Sequence, residues 1–265
     1  MPPTAGFFWP GTDADADAGP PQDFVEVFAS SMPSRYRVLF DPRTIRKHAA
    51  VSYRRGERPA HAEVWRSLAD ASAALCIVAD DRPGLLSAIA AALISHKLDV
   101  ITALVFSRAE TGGHCEAVDL LWVRRASPED AAPIDADEAV SIGEVLSAML
   151  AGSISVDEIA SRTHAVKAPD EAPDATGVVV RFDDIDEGGL AALSVEAPDR
   201  PGVLLAITFE LFQQGAQIVR SLVRTSRGRA YNSFDLVEFS GAPLSPDRRH
   251  QIRTAVLAAL ALGEE

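Results

Sequence analysis

Positive charge is what this chain has too little of. Its 25 Lys and Arg face 38 Asp and Glu, a formal charge of −13. So acidic a chain has no electrostatic footprint for nucleic acid or for an anionic membrane surface. The one basic cluster (Arg43, Arg46, Lys47, Arg54, Arg55) is short and interrupted by the run His48 to Val51. Cysteine is almost absent: Cys76 and Cys115 form no Cys-x-x-Cys, and each falls in a strand-like stretch where it reads as a small buried hydrophobe. Such usage fits a reducing compartment. The six histidines (His48, His61, His96, His114, His164, His250) are scattered, and none precedes an Asp. No metal-ligand spacing forms, so each reads as a surface or satisfied histidine. No apolar run approaches the ~20 residues of a membrane span. The start "MPPTAGFFWPGTDADADAGPPQ" lacks the basic and apolar regions of a secretory signal. A cytoplasmic protein without metal or cofactor is expected.

What is present is order from about residue 23 onward. Residues 1–22 are rich in Pro, Gly, Asp and Ala and read as a disordered tail. Its Phe7-Phe8-Trp9 patch either packs loosely on the protein or docks on a partner. Residues 23–70 read as a helical extension. Asp41 followed by Pro42 is a strong helix start, and Gly56 and Pro59 break the chain.

The stretch "ADDRPGLLS" (Ala79–Ser87) returns as "APDRPGVLL" (Ala197–Leu205), with Gly84 and Gly202 118 residues apart. Each copy sits in the same context: an apolar strand, the corner, a helix, a β-branched strand, a turn ("ETGGH" or "RGR") and a returning strand. A further helix follows in each. This is an internal duplication of a βαββαβ unit, the split βαβ of ferredoxin-like folds, with one antiparallel sheet and its helices on one face. The first copy is expected to take its fourth strand from "TGVVVRFDD". The second ends in a helix at about Leu262 without a fourth strand. That edge must be covered by the other sheet, the amino-terminal segment or another protomer. The expected units are 71–184 and 185–265.

The corner has two readings. In the structural one, Pro costs nothing near a helix start, Gly permits close backbone approach, and Asp81 or Asp199 accepts from the first-turn N–H groups. That leaves Arg82 and Arg200 without a role. In the functional one, the same N–H groups attract a carboxylate and the Asp holds an ammonium. A free amino acid would then be held by its backbone end, its side chain meeting the opening of a second strand at Asp99 or Gln217. The candidate ligand-binding residues are Asp81, Arg82, Gly84, Leu85 and Asp99, with Asp199, Arg200, Gly202, Val203 and Gln217. Arg220 and Arg224 share a strand face by period two, solvated or engaged with an anion or partner.

"DDRPGLLSAIAAAL" and "PDRPGVLLAITFEL", each followed by its hairpin, resemble the first half of ACT domains. The tandem is similar to the C-terminal end of the bacterial bifunctional uridylyltransferase/uridylyl-removing enzymes of nitrogen regulation. "MPSRYRVLFDPRTIRKHA" (Met32–Ala49) resembles the segment preceding that pair. The likeness spans about residues 31–262. It implies two tandem ACT domains of α+β, ferredoxin-like fold and a regulatory, amino-acid-sensing role, with glutamine as the family's ligand. The nucleotidyltransferase and metal-dependent hydrolase signatures of those enzymes are absent, so no catalytic residue is assigned. Two other functions remain open: a ligand-independent assembly module, acting as a homo-oligomer or with a partner protein, and an enzyme using Asp80/Asp81 or Asp183/Asp184. Adjacent acids on a strand point to opposite faces, which argues against either dyad.

Overall fold

The computed structural model describes residues 19–68, 71–109, 114–127, 129, 132–164, 177–183 and 189–261. Phe7–Trp9, Asp184 and most of the "ETGGH" turn lie outside them. The amino-terminal extension folds as three helices, α1 (Gln22–Ser31), α2 (Ser34–Leu39) and α3 (Pro42–Arg55). Helix α3 starts as its sequence dictates, with Pro42 in the first turn and Asp41 Oδ1 accepting from the Thr44 N–H at 2.9 Å. The extension is not only helical: "AHAEVWRS" forms strand β1 (Ala60–Ser67).

The first repeat continues with β2 (Ala73–Asp80), α4 (Leu85–Ser95), β3 (Leu98–Leu104), the short β4 (Ser107–Ala109), β5 (Cys115–Arg125), α5 (Ala136–Leu150) and α6 (Val156–His164). The second comprises β6 (Val179–Phe182), β7 (Ala191–Pro198), α7 (Val203–Gln213), β8 (Ala216–Ser226), β9 (Arg229–Glu238) and α8 (Pro246–Ala261). All pairings are antiparallel, in the order β1-β2-β5-β3-β8-β9-β7-β6, with β4 beside β5. The protein is thus α+β, with one continuous antiparallel sheet.

The edge strands differ from the sequence expectation. The "VVVRFDD" strand does not close the first repeat: β6 pairs with β7 of the second. The first repeat is closed by β1, which precedes it. The two closures are equivalent, since His61 lies opposite Val78 and Val179 opposite Glu196, each residue displaced by 118. The duplicated unit is therefore ββαββα. Its edge strand comes first, so the second repeat lacks nothing. Helix α5 covers β1 closely because Gly143 has no side chain; a Cβ there would lie 3.0 Å from the Ala62 backbone nitrogen.

The repeats meet through β3 and β8, where Thr102, Ala103 and Leu104 pair with Arg224, Val223 and Leu222. Displacing each partner by 118 keeps the same register and maps Leu104/Leu222 onto itself, so the repeats are related by a pseudo-twofold axis through this ladder. Both strands carry an irregularity at equivalent places, Val100/Thr102 and Ile218/Arg220, and such bulges re-aim side chains beside a site. Helices α4, α5, α7 and α8 pack on one face over an Ala-, Leu- and Val-rich core. On the other face α1–α3 cover only the first repeat, burying Phe28, Tyr36, Phe106 and Leu120.

Buried polar groups tie α3 to the sheet. Glu116 accepts from Arg55 Nη1 at 2.8 Å, Arg108 Nε at 2.6 Å and Ser52 Oγ at 2.9 Å. Arg55 also reaches Asp80. His48 stacks edge-on against Trp65, and its Nδ1 lies 2.7 Å from the Tyr36 hydroxyl. Of the cysteines, Cys76 is buried as expected, and burial pushes its thiol up. Cys115 is exposed at the start of β5, because the hairpin end of that strand projects beyond the core; both thiols are free. No helix among the described residues is long and apolar enough to cross a membrane.

Candidate functional site

Each corner turns through a glycine in the left-handed region, Gly84 at φ +82° and Gly202 at φ +87°. A Cβ would be strained there. These glycines, not the acids, are the N-cap residues of α4 and α7, and no side chain caps either helix. The expected capping by Asp81 and Asp199 is replaced by contacts to strands. Asp81 Oδ2 accepts from Ser107 Oγ, and Asp199 Oδ1 from Thr225 Oγ1 at 3.4 Å. Ser107 and Thr225 are again equivalent residues. The first-turn N–H groups of both helices are thereby left without a competing side chain.

Arg82 and Arg200, unexplained in sequence, have the same role in each repeat. The Arg82 guanidinium donates to the Leu150 carbonyl at the end of α5. Arg200 donates to the Leu260 carbonyl near the end of α8 at 3.0 Å. A cation at a helix C-terminus satisfies an orphan acceptor and complements the dipole. The corner thus locks strand, first helix and second helix together.

The pseudo-twofold axis brings each corner against the other repeat's strand opening. On one side Asp81, Arg82, Gly84 and Leu85 face Gln217 across an open cleft whose cavity volume is about 30 Å³ with Phe212 in place. Three buried polar atoms without a hydrogen-bond partner belong to its lining: Ser87 Oγ, Asp119 Oδ1 and Gln217 Oε1. Buried polar groups are nearly always paired, so their convergence marks a place built for a partner. Asp119, 1% exposed, is the most unusual. Burial pushes its carboxyl well above the usual range, the Asp81 charge adds to this, and a hydrogen bond from the Phe106 backbone opposes it. Phe212 stands at the glycine: a Cβ on Gly84 would lie 2.7 Å from its ring. At 37% exposure Phe212 has room to swing outward.

On the other side Asp99 and Asp199 come together, joined by a residue the sequence did not single out. Arg124 Nη2 lies 2.9 Å from Asp99 Oδ2 and 2.6 Å from Asp199 Oδ2. Burial pushes the Asp99 carboxyl up to about 6; the Arg124 hydrogen bond and charge pull it down, and Asp199 raises it further. Gly202 and Val203 form the start of α7 beside this corner.

Asp119, Ser87 and Arg124 are the site residues that sequence reasoning missed. Asp119 had a signal. In "CEAVDLLWVRR" it shares a face with Ala117, Leu121 and Val123, and a lone acid on an apolar face is the informative kind of exception. Elsewhere, Arg220 pairs with Asp235, and Arg224 stacks over Tyr231 at 5.6 Å. Asp80 turns to Arg55 while Asp81 turns to Ser107, so the adjacent acids form no dyad. Among the described residues no group of three or more His, Cys, Asp or Glu is arranged to hold a metal.

Fold and cavity together define an antiparallel α+β protein with a pocket of mixed polar and apolar lining between two repeats. Comparison with known proteins adds the relationship. The chain is similar to a part of bifunctional uridylyltransferase/uridylyl-removing enzymes. It is 27% identical over 257 residues to that of Phenylobacterium zucineum, covering 95% of this chain and 26% of the relative. It is 27% identical over 189 residues to that of Bradyrhizobium diazoefficiens (71% and 19%) and 26% identical over 190 residues to that of Nitrobacter hamburgensis (71% and 20%). The chain thus spans a fifth to a quarter of the curated relatives it matches. No protein-family profile matches it. An unknown protein from Galdieria sulphuraria (TM-score 0.21, 17% identity, 76% of this chain and 91% of that one) and aspartate kinase from Synechocystis (TM-score 0.21, 12% identity, 72% and 40%) are too distant to carry an argument.

Proposed function

We propose that this chain is a non-catalytic regulatory module of two ferredoxin-like ACT-type units, which binds an amino acid between its repeats and signals through their packing or through a partner. The observation that carries this reading is the convergence of Ser87, Asp119 and Gln217 on the cavity at the start of α4. An amino acid complements it end to end. Its ammonium meets Asp81 and Asp119, its carboxylate meets the uncapped N–H groups of α4, and its side chain extends toward Gln217. Glutamine is the first candidate, because the relatives act in uridylyl transfer and removal and the resemblance implies a glutamine sensor. Binding across the repeats changes their relative stability in two arrangements, which is the requirement for any switch.

Calorimetry and thermal shift against the twenty amino acids test this. At least one must give a heat of binding of either sign and raise the melting temperature, since a ligand of the native state stabilises it. Silence from all twenty refutes the reading.

A second reading, ligand-independent assembly, has one observation in its favour. Among the described residues no helix lies over the sheet face of the second repeat, which exposes Leu222 at 52%. Light scattering with and without amino acids separates the two readings, because assembly that ignores every amino acid supports the second.

A further inference from the structure

Duplication supplies an internal control for the site. The acids Asp81 and Asp199, the hydroxyls Ser107 and Thr225, and the glycines Gly84 and Gly202 occupy equivalent places. Asp99 and Gln217 open the equivalent strands β3 and β8. Four exchanges break the equivalence: Asp99 for Gln217 itself, Ser87 for Leu205, and two seen across the ladder. In the ladder Asp99 lies opposite Arg124, whereas Gln217 lies opposite Val237. Asp119, opposite Ile77, corresponds to Asn232, opposite Val195.

These exchanges redistribute charge without changing the number of carboxylates. One side holds Asp199 and Asp99, with the Arg124 guanidinium between them at 2.6 and 2.9 Å. The other holds Asp81 and Asp119. Val237 has no charge to offer them, and among the described residues no cationic side chain pairs with either. Arg82, the cation of the same corner, is engaged by the Leu150 carbonyl.

We propose that the two sites are inequivalent: the Asp199–Asp99 site is closed by its own cation, Arg124, and the Asp81–Asp119 site accepts one ligand per chain, which must itself carry a cationic nitrogen. This deepens, and rests on, the reading of the chain as a small-molecule sensor. Arg124 shows what chemistry the corner accepts. A guanidinium bridging two carboxylates at one corner is the intramolecular counterpart of an ammonium bridging two carboxylates at the other. Buried opposite charges hold each other strongly only when both are present. In the open site the cost of two unpaired carboxylates is avoided by keeping Asp119 protonated, in accord with its raised pKa, until a cation arrives.

The experiment titrates the twenty amino acids into the chain, together with the N-acetyl derivative of each one that binds. One equivalent per chain is expected, with binding weakened at least tenfold by N-acetylation. Two equivalents overturn the closed site, and equal binding of the acetylated form overturns the cation requirement. Either result leaves the sensor reading intact. Val237→Arg gives the open site the residue its counterpart has. It is expected to weaken binding at least tenfold while the melting temperature is unchanged or raised, and undiminished binding overturns the proposal. Should no amino acid bind, the sensor reading fails, and the inference is judged on Arg124→Ala with methylguanidinium as probe. The variant melts lower than wild type and is expected to recover selectively in millimolar methylguanidinium. Absence of any recovery beyond that of wild type overturns it.

Discussion

Asp119→Asn isolates the proposed chemistry most cleanly, because the second repeat carries Asn at the equivalent position. The equivalent position of the second repeat is Asn232, 3% exposed and facing the same kind of core. The exchange keeps shape and removes charge. A hydrogen bond to a charged group contributes about 1.5–3 kcal/mol, so the affinity for an amino acid falls about 10- to 100-fold. Stability moves the other way. The folded-state pKa of Asp119 is raised above its unfolded value, near 3.8. The folded chain therefore holds the extra proton in that window, and wild-type stability declines as pH rises through it. Asn removes this decline, so the variant is at least as stable as wild type at pH 7 and loses the advantage in acid. Binding of an ammonium ionises Asp119 and releases a proton. Wild-type binding thus strengthens as pH rises through that pKa, and its heat differs between phosphate and Tris by about one proton's worth of buffer ionisation. The variant shows neither effect. Calorimetry in the two buffers and urea unfolding at pH 7 and pH 4 provide all the readouts. Unaltered affinity with unaltered proton release in Asp119→Asn refutes the reasoning, as does a marked loss of stability at pH 7.

His48, buried against Trp65, has its pKa lowered to about 4, first by burial and then by the Lys47 charge. Its unfolded value is 6.5, so its neutral burial loses about 3 kcal/mol as pH falls from 6.5 to 4. Asp99 opposes this, gaining stability as pH falls from about 6 toward 3.8. Wild type is therefore flatter in acid than either group alone, and urea midpoints of His48→Gln lack the His48 share of the acid loss. Glu116→Gln leaves Arg55 and Arg108 facing a neutral amide inside the structure and costs about 3–5 kcal/mol. A single shifted unfolding transition shows that α1–α3 belong to the cooperative unit, whereas separate transitions contradict it. Arg200→Ala uncaps α8 at Leu260 and lowers stability by about 1 kcal/mol with amino-acid affinity unchanged; a loss of affinity at constant stability would return Arg200 to the ligand.

Much of this architecture was legible because the chain states it twice. The strand, corner, helix and strand order comes from local rules of periodicity and glycine punctuation, and those rules act identically at both places. Asp41 was needed for a cap, as its surroundings in sequence demanded, while Gly84 and Gly202, read as points of close approach, also take a positive φ. Strand partnership is not local. "VVVRFDD" is as good an edge strand for β2 as for β7 by composition, and only three-dimensional closure decides between them. β1 was hidden for a related reason. "AHAEVWRS" carries charge at Glu63 and Arg66, which an edge strand tolerates on its outer side but which obscures the alternation. Arg54 is what makes Glu63 acceptable there, at 2.5 Å and 9 residues away, beyond the window in which a strand is read.

The site was legible in its positions but not in its polarity. The corner and strand openings were found because they repeat, and a repeat-based reading treats the two copies as equals. What separates them lies in β5 and β9, where hairpins of different length disrupt the simple offset, so that Arg124 and Val237 are not aligned by counting along the chain. They are aligned by their partners, Asp99 and Gln217. A carboxylate at a strand opening looks in sequence like a contact for a ligand. Placed opposite an arginine that can also reach Asp199, it becomes half of a closed ion pair instead. The same corner therefore yields a sealed site or an open one according to the strand-opening residue and its cross-strand neighbour, Asp99 with Arg124 or Gln217 with Val237. Sequence positions alone leave that choice undecided, because it depends on which strand the ladder places beside which.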